Sequence, residues 1–370
     1  MTFKVLEPAN IGRLELRNRF IRSATLDATA DETGAVTDAS VKIYDGLAAG
    51  GVGLIATGYA FVSKHGQAAL GQYGIHSDEM IPGLRRLVEA VHRHGAKIAA
   101  QIVHAGGASS YLFHKGEVLL APSEIEGRSP RRAMTEEEIE GIIQDFAAAA
   151  MRAREAGFDG VQLHGAHGYL MSQFFSPTTN LREDRWGGNP ENRRRFHVET
   201  VKRVRAAVGP DFPLMIKFGI MDDVEGGATL EEGIAAIKAM IEAGLDAVEI
   251  SVGQGGGKNG PIRVFNDEVT ETAYYRKRAA AAKKAVEVPV ALVGGIRSLQ
   301  TAEDIVASGD ADFISLCRPL IREPGLIRRW LNGDTRRATC ISCSKCLGST
   351  LQGQPLECGE DKRIREEKGQ

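Results

Sequence analysis

Three side chains stand within six residues of one another: His164, His167 and Tyr169, in the stretch Asp159–Gly188. They follow an apolar run, Phe158 to Leu163, that reads as a buried strand. Two imidazoles and a phenol at a strand end can polarise a carbonyl and deliver a proton. A polar loop continues through Gln173, Asn180, Arg182 and Asp184 to Trp186. Other apolar runs also end in groups with chemical uses. Gln101, with both a donor and an acceptor, suits a pyrimidine-like edge. Lys217 adds a positive charge. Backbone N–H groups at Gly294–Gly295 and after Cys317, beside the cation Arg318, suit a phosphate. Thr25 and Gly58 complete the strand ends. A phosphate seat, a ring edge and a cation together point to a phosphorylated planar cofactor. An aldolase-type Schiff-base role for Lys217, or a phosphosugar isomerase, uses the same ingredients.

The elements needed to gather these groups can be read along the chain. Residues 4–17 alternate and turn near Asn10–Gly12, a hairpin expected to cap the fold. Strands are expected at 18–25, 52–57, 97–103, 158–163, 213–218, 247–251, 289–293 and 312–316. Helices are expected at about 38–50, 78–95, 135–155, 190–208, 229–243, 268–286, 299–308 and 323–332. Thr135 with Glu138 forms a capping-box pattern. A long polar excursion over 105–133 has the character of a functional loop. Eight strands alternating with eight helices predict an α/β fold, a (β/α)8 TIM barrel, whose chemistry collects at the C-terminal strand ends. A doubly wound sheet competes, but no G-x-G-x-x-G follows the first strand. The division expected is 1–335 for the barrel and 336–370 for a Cys-rich C-terminal extension. The Arg193–Arg195 run is expected on a solvated helix face.

Bulk composition narrows the classes. The chain has 370 residues, 43% of them apolar, 25% charged and 43 of them glycine, as in a soluble globular protein with many tight turns. A net charge of −2 offers no basic field for nucleic acid. No apolar run reaches the roughly 18–20 residues of a membrane span, and no secretory h-region is visible at the start. Of five cysteines, four cluster at Cys340, Cys343, Cys346 and Cys358. That favours a reducing, cytoplasmic setting with a metal or cluster site over a disulfide framework.

The stretch HGAHGYLMSQFFSPTTNLREDRWGG, followed by ENRRRF, resembles the signature of the Old Yellow Enzyme family of FMN-dependent ene-reductases and NADH:flavin oxidoreductases. LRNRF, GGVGLI at 50–55, QIVHAG at 101–106, PRRAMT at 130–135, VGGI at 293–296 and RPLIREP at 318–324 extend the resemblance over nearly the whole barrel. The resemblance implies non-covalent FMN, with NAD(P)H as co-substrate and an activated alkene as the second substrate. It implies that Gln101 and Lys217 bind the pyrimidine side and that Ser23, Ala24 and Thr25 lie along the ring. Gly58 and His164 would also touch the cofactor, and Gly294, Gly295, Cys317 and Arg318 would hold its phosphate. It implies that His164 and His167 hold the electron-withdrawing group of the substrate, and that Tyr169 is the proton donor. Three departures stand out: Lys217 where many relatives have Arg, no Arg after QIVHAG, and Gly58–Tyr59 in place of a Glu–Ala or Glu–Gly pair.

The four clustered cysteines resemble the [4Fe–4S] motif of the trimethylamine dehydrogenase and 2,4-dienoyl-CoA reductase branch. Zinc and a metal-free tail are the alternatives. The chain ends about a dozen residues after Cys358, so a cluster is expected to need an external redox partner. Amine oxidation through that cluster is the second function within the family, and an electron-transfer or sensor module a further class. A homo-oligomer is expected.

Overall fold

The structure is a computed structural model that describes residues 3–126, 130–256, 260–264 and 272–369. Eight strands form its centre: β1 (Phe20–Arg22), β2 (Leu54–Ala56), β3 (Lys97–Val103), β4 (Gly160–Gly165), β5 (Leu214–Gly219), β6 (Ala247–Ser251), β7 (Val290–Val293) and β8 (Phe313–Leu316). Neighbours pair in parallel in the order β2-β1-β8-β7-β6-β5-β4-β3, and β2 also pairs with β3, which closes the barrel. Eight helices cover it: α1 (Asp38–Ala49), α2 (Ile81–His92), α3 (Glu136–Ala156), α4 (Pro190–Val208), α5 (Leu230–Glu242), α6 (Arg276–Ala285), α7 (Leu299–Ala307) and α8 (Leu326–Leu331). This is the (β/α)8 barrel expected from the alternation of apolar runs and periodic segments.

Local sequence explains the element ends. Thr135 accepts from the Glu138 N–H and Glu138 reaches back to Thr135, so α3 starts there; Gly157, at φ 93°, ends it. Asn189 caps α4, whose first residue is Pro190. The hairpin pairs Ala9–Ile11 with Leu14–Leu16, and its turn is Gly12–Arg13, one step later than expected because Asn10 pairs with Glu15. Residues 268–271 of the helix expected over 268–286 lie outside the described residues; α6 begins at Arg276. Arg193 corrects the solvated-face expectation. It is buried, donates to the Phe175 carbonyl at 3.1 Å and pairs with Glu232 at 2.8 Å.

The barrel interior has two layers. The lower one is apolar: Ile21, Leu54, Ala99, Met215, Ala247, Ala291 and Phe313, plugged from below by Ile11 and Leu16 of the hairpin. The upper one is polar, because side chains two residues on along each strand return to the same face. Register places Gln101 beside Gln162, and Lys217 between His164 and Glu249. The outer shell between strands and helices is the main hydrophobic core. The C-terminal segment folds back over the polar end of the barrel. Ala338 N donates to Arg297 O, Leu356 N donates to Asp27 O, both at 2.8 Å, and Arg322 pairs with Asp361. Among the described residues, no helix is long and apolar enough to cross a membrane.

Candidate active site

The polar end of the barrel opens into a cavity of about 300 Å³. Its walls include Ser23, Ala24, Thr25, Lys217, Gly294, Gly295, Cys317 and Arg318, and also His164, His167 and Tyr169. Two sequence candidates do not line it. Gly58 donates its N–H to Tyr44 Oη at 2.7 Å, and the neighbouring Tyr59 takes the place at the wall. Gln101 lies fully buried behind the wall.

His164 projects from β4. Its Nδ1 accepts weakly from the Ala166 N–H at 3.4 Å, which leaves Nε2 to carry the proton and donate. His167 adopts φ 61°, an unusual backbone for a side-chain-bearing residue, fixed by its own N–H on the Val252 carbonyl at 3.0 Å. Its Nε2 lies 2.8 Å from Ser251 Oγ. The two imidazoles meet edge to face with centroids 5.1 Å apart, and the Tyr169 ring sits 4.9 Å from His164. Burial, then the neighbouring His167 and Lys217, hold His164 well below the usual imidazole range. Burial and Lys217 bring His167 down to about 3. Both rings are therefore neutral single donors near pH 7. Burial pushes the Tyr169 phenol up, so it keeps its proton; it donates to Tyr59 Oη at 3.1 Å.

On the opposite side, Lys217 Nζ donates to Ser23 Oγ at 2.6 Å and pairs with Glu249 at 3.2 Å. Glu249 and Gln162 were not singled out from the sequence. The available signal was a lone carboxylate in the apolar run AVEIS and a lone amide in GVQLHG. Which residues they would meet depended on strand register. At the third corner, Gly294 and Gly295 take φ 124° and 74°; a Cβ on Gly294 would come within 2.7 Å of the Tyr274 ring. Arg318 donates through Nη1 to Arg263 O at 2.7 Å, Ser342 O at 3.0 Å and Ser344 Oγ at 2.8 Å, tying this corner to the cysteine loop. Cys317 Sγ lies 3.0 Å from Thr25 Oγ1. Ser342, Leu347, Thr350 and Leu351 of the C-terminal segment complete the wall.

Two observations bear on whether a flavin fits. Gln101 Oε1 and Ser315 Oγ are buried without any partner, and Ser315 lines the cavity. Buried polar atoms of this kind are rare without a ligand or water to satisfy them. The cavity volume also sits at the lower end of the roughly 300–1,000 Å³ usual for cofactor sites. The residues fit a planar ring system with a polar edge and a phosphate.

Most of the long signature stretch is scaffold. Asn180 Nδ2 donates to Phe174 O and Trp186 O, both at 2.7 Å. Arg182 binds the Pro122 and Met134 carbonyls, and Gln173 binds Ala105 O and Gly168 O. These bonds fix the loop that presents His167 and Tyr169.

All four clustered cysteines, Cys340, Cys343, Cys346 and Cys358, line a second, small cavity that shares Arg318 with the first. They are unpaired thiols; burial and neighbouring sulfurs push Cys346 up to about 12. Among the described residues, no three His, Cys, Asp or Glu side chains converge closely enough to hold a metal ion.

The profile described as the NADH:flavin oxidoreductase / NADH oxidase family matches residues 4–335. The NADH oxidase of Thermoanaerobacter brockii is 39% identical over 356 residues, 94% of this chain and 54% of that protein. The NADPH dehydrogenase of Geobacillus sp. strain WCH70 is 36% identical over 329 residues, 88% of this chain and 92% of that protein. A solved 2-naphthoyl-CoA reductase complex superposes with a TM-score of 0.89 at 30% identity, over 96% of this chain and 56% of that one. The chain thus spans about half the length of the first curated relatives it matches.

Proposed function

The chain belongs to the NADH:flavin oxidoreductase / NADH oxidase family, and from that premise we propose that it is an FMN-dependent NAD(P)H oxidoreductase reducing the C=C bond of an α,β-unsaturated carbonyl or a related activated alkene. The observation that carries this reading is one cavity faced by neutral His164 and His167, by protonated Tyr169, and by the Ser23–Lys217 and Gly294–Arg318 corners. FMN, when bound, accepts hydride from NAD(P)H and delivers it to the alkene. Lys217 would hold its pyrimidine edge, with the Gln101 carbonyl oxygen behind the wall as the acceptor on that side, and Gly294, Gly295 and Arg318 would hold its phosphate. His164 Nε2 and a His167 N–H donate to the carbonyl oxygen of the alkene, where negative charge grows as the β-carbon takes hydride. Tyr169 Oη gives its proton to the α-carbon. Lys217 is engaged by Ser23 and Glu249, an arrangement poorly suited to the free amine nucleophile that an aldolase needs.

Purified protein is expected to be yellow, to release FMN on denaturation and to consume NAD(P)H with an enone. A colourless protein that takes up no added FMN refutes the reading.

A second element concerns the tail. Four thiols on one cavity, Cys340, Cys343, Cys346 and Cys358, are the ligand number and type that a [4Fe–4S] cluster would take. Arg318 lines both cavities, so such a cluster would stand next to the flavin, and an external redox protein would exchange electrons with it. Iron and acid-labile sulfide in anaerobically purified protein support this reading; stoichiometric zinc in their place refutes it.

A further inference from the structure

In and behind the polar wall, five side chains form one directed chain of hydrogen bonds. Glu249 Oε2 accepts from Gln162 Nε2 at 2.9 Å. Gln162 Oε1 accepts from Gln101 Nε2 at 2.7 Å. Gln101 Oε1 is left buried and unpartnered. On the other side, Glu249 Oε1 accepts from Ser23 Oγ at 2.7 Å and faces the Lys217 ammonium at 3.2 Å. Glu249 and Lys217 are 2% and 3% exposed, so neither charge is screened by water.

The direction of this chain follows from chemistry alone. An ionised carboxylate has no proton to give. Gln162 must therefore turn its amide N–H groups toward Glu249, which aims its carbonyl at Gln101. Gln101 must answer with its own N–H, which leaves its carbonyl oxygen free. An acceptor at Gln101 and a cationic donor at Lys217 match a ring edge that carries an N–H beside a carbonyl. The same carboxylate also compensates the positive charge of Lys217, a residue of the cavity wall, so the pair is close to neutral toward a bound ring.

We propose that Glu249 is the positioning residue of this site: it fixes Gln101 as an acceptor, holds Lys217 in place, and lowers the reduction potential of the bound flavin by compensating the Lys217 charge. The proposal rests on the reading that the cavity holds FMN. It goes further by assigning the redox poise and the polarity of recognition to a residue that touches no ligand.

The test measures FMN affinity and the two-electron midpoint potential in wild type, E249Q, E249D and Q162L. E249Q keeps the shape and removes the charge. Lys217 then stands uncompensated and favours the negatively charged reduced ring. The expected result is at least a tenfold shift in binding toward reduced over oxidised FMN, an upward move of about 30 mV for a two-electron couple. E249D retains the charge and returns most of that shift. Q162L leaves the Lys217–Glu249 pair intact but cuts the relay; it is expected to weaken FMN binding at least tenfold with a smaller change in potential than E249Q. An E249Q potential equal to or below that of wild type overturns the proposal while leaving the cofactor reading intact. A wild-type protein that binds no FMN overturns both. Should E249Q fail to fold, Q162L decides, and wild-type affinity in that variant overturns the relay.

Discussion

The hydroxyl of Tyr169 has one hydrogen-bond partner among the described residues, Tyr59 Oη at 3.1 Å. A phenol that gives up its proton in this buried place leaves a costly anion, and the Tyr59 hydroxyl is positioned to turn and stabilise it. Y169F is expected to slow the alkene half-reaction by about 10²-fold or more, in the range typical of general acids, while NAD(P)H still reduces the flavin near the wild-type rate. Equal losses in both half-reactions, measured by stopped flow, would contradict the donor role. The imidazoles give a pH prediction. His164 is held well below its ordinary value and His167 is brought down to about 3. Both shifts favour the neutral imidazole through the range where a free one titrates. The alkene half-reaction should therefore show no inflection near pH 6.5; one that disappears in H164A or H167A would show that a protonated imidazole takes part. His164, His167 and Tyr169 were legible in the sequence because they are consecutive on one strand end and its loop. Tyr59 was visible only as a departure, and Glu249 was not visible as a partner at all. Its meaning depends on Lys217 standing opposite it in register, which no single strand reveals.

At the level of elements, α4 and β5 meet around a buried ring that the chemistry does not use. His197 is fully buried, edge-on to Phe175 and Phe218, and neither ring nitrogen has a partner. Burial brings it down to about 3, and likewise His104 behind the β3 tip. In the unfolded chain both would bind protons near 6.5. The unfolded state therefore holds more protons below that pH, and stability falls as the pH drops from 6.5 toward 3. Each ring costs about 1.4 kcal/mol per pH unit over that window. H197F removes a titrating group that makes no hydrogen bond. Denaturant melts between pH 6 and 4 should then show a slope shallower by one proton; an unchanged slope would mean that His197 does not stay neutral. The helices and strands themselves were legible, since the Thr135–Glu138 capping box and the apolar runs are local signals. Arg193 was misjudged for the opposite reason. Its partners Phe175 and Glu232 come from other elements, and an arginine run reads as solvated until those are placed.

On the scale of the whole molecule, the C-terminal segment belongs to the working end of the barrel. Ser342, Leu347, Thr350 and Leu351 wall the cavity, and Arg318 reaches from the Gly294–Gly295 corner into the cysteine loop. The four cysteines were legible as one group, and all four line one small cavity, but nothing local showed that the loop would fold back over the barrel mouth. A ligand at this junction should hold barrel and tail together. Removing FMN is expected to destabilise the protein by RT ln(1 + [FMN]/Kd), about 2.7 kcal/mol at 100 times Kd. Calorimetry should show a melting temperature several degrees lower without FMN and restored by adding it; equal melting temperatures would place FMN outside the fold.

The central claim, that one cavity hands hydride from NAD(P)H to an activated alkene, meets its most direct test in an anaerobic cuvette. NAD(P)H should bleach the yellow protein, and a stoichiometric amount of a simple cyclic enone should restore the colour and yield the saturated ketone. A protein that bleaches and stays bleached with every enone and nitroalkene offered would contradict the account.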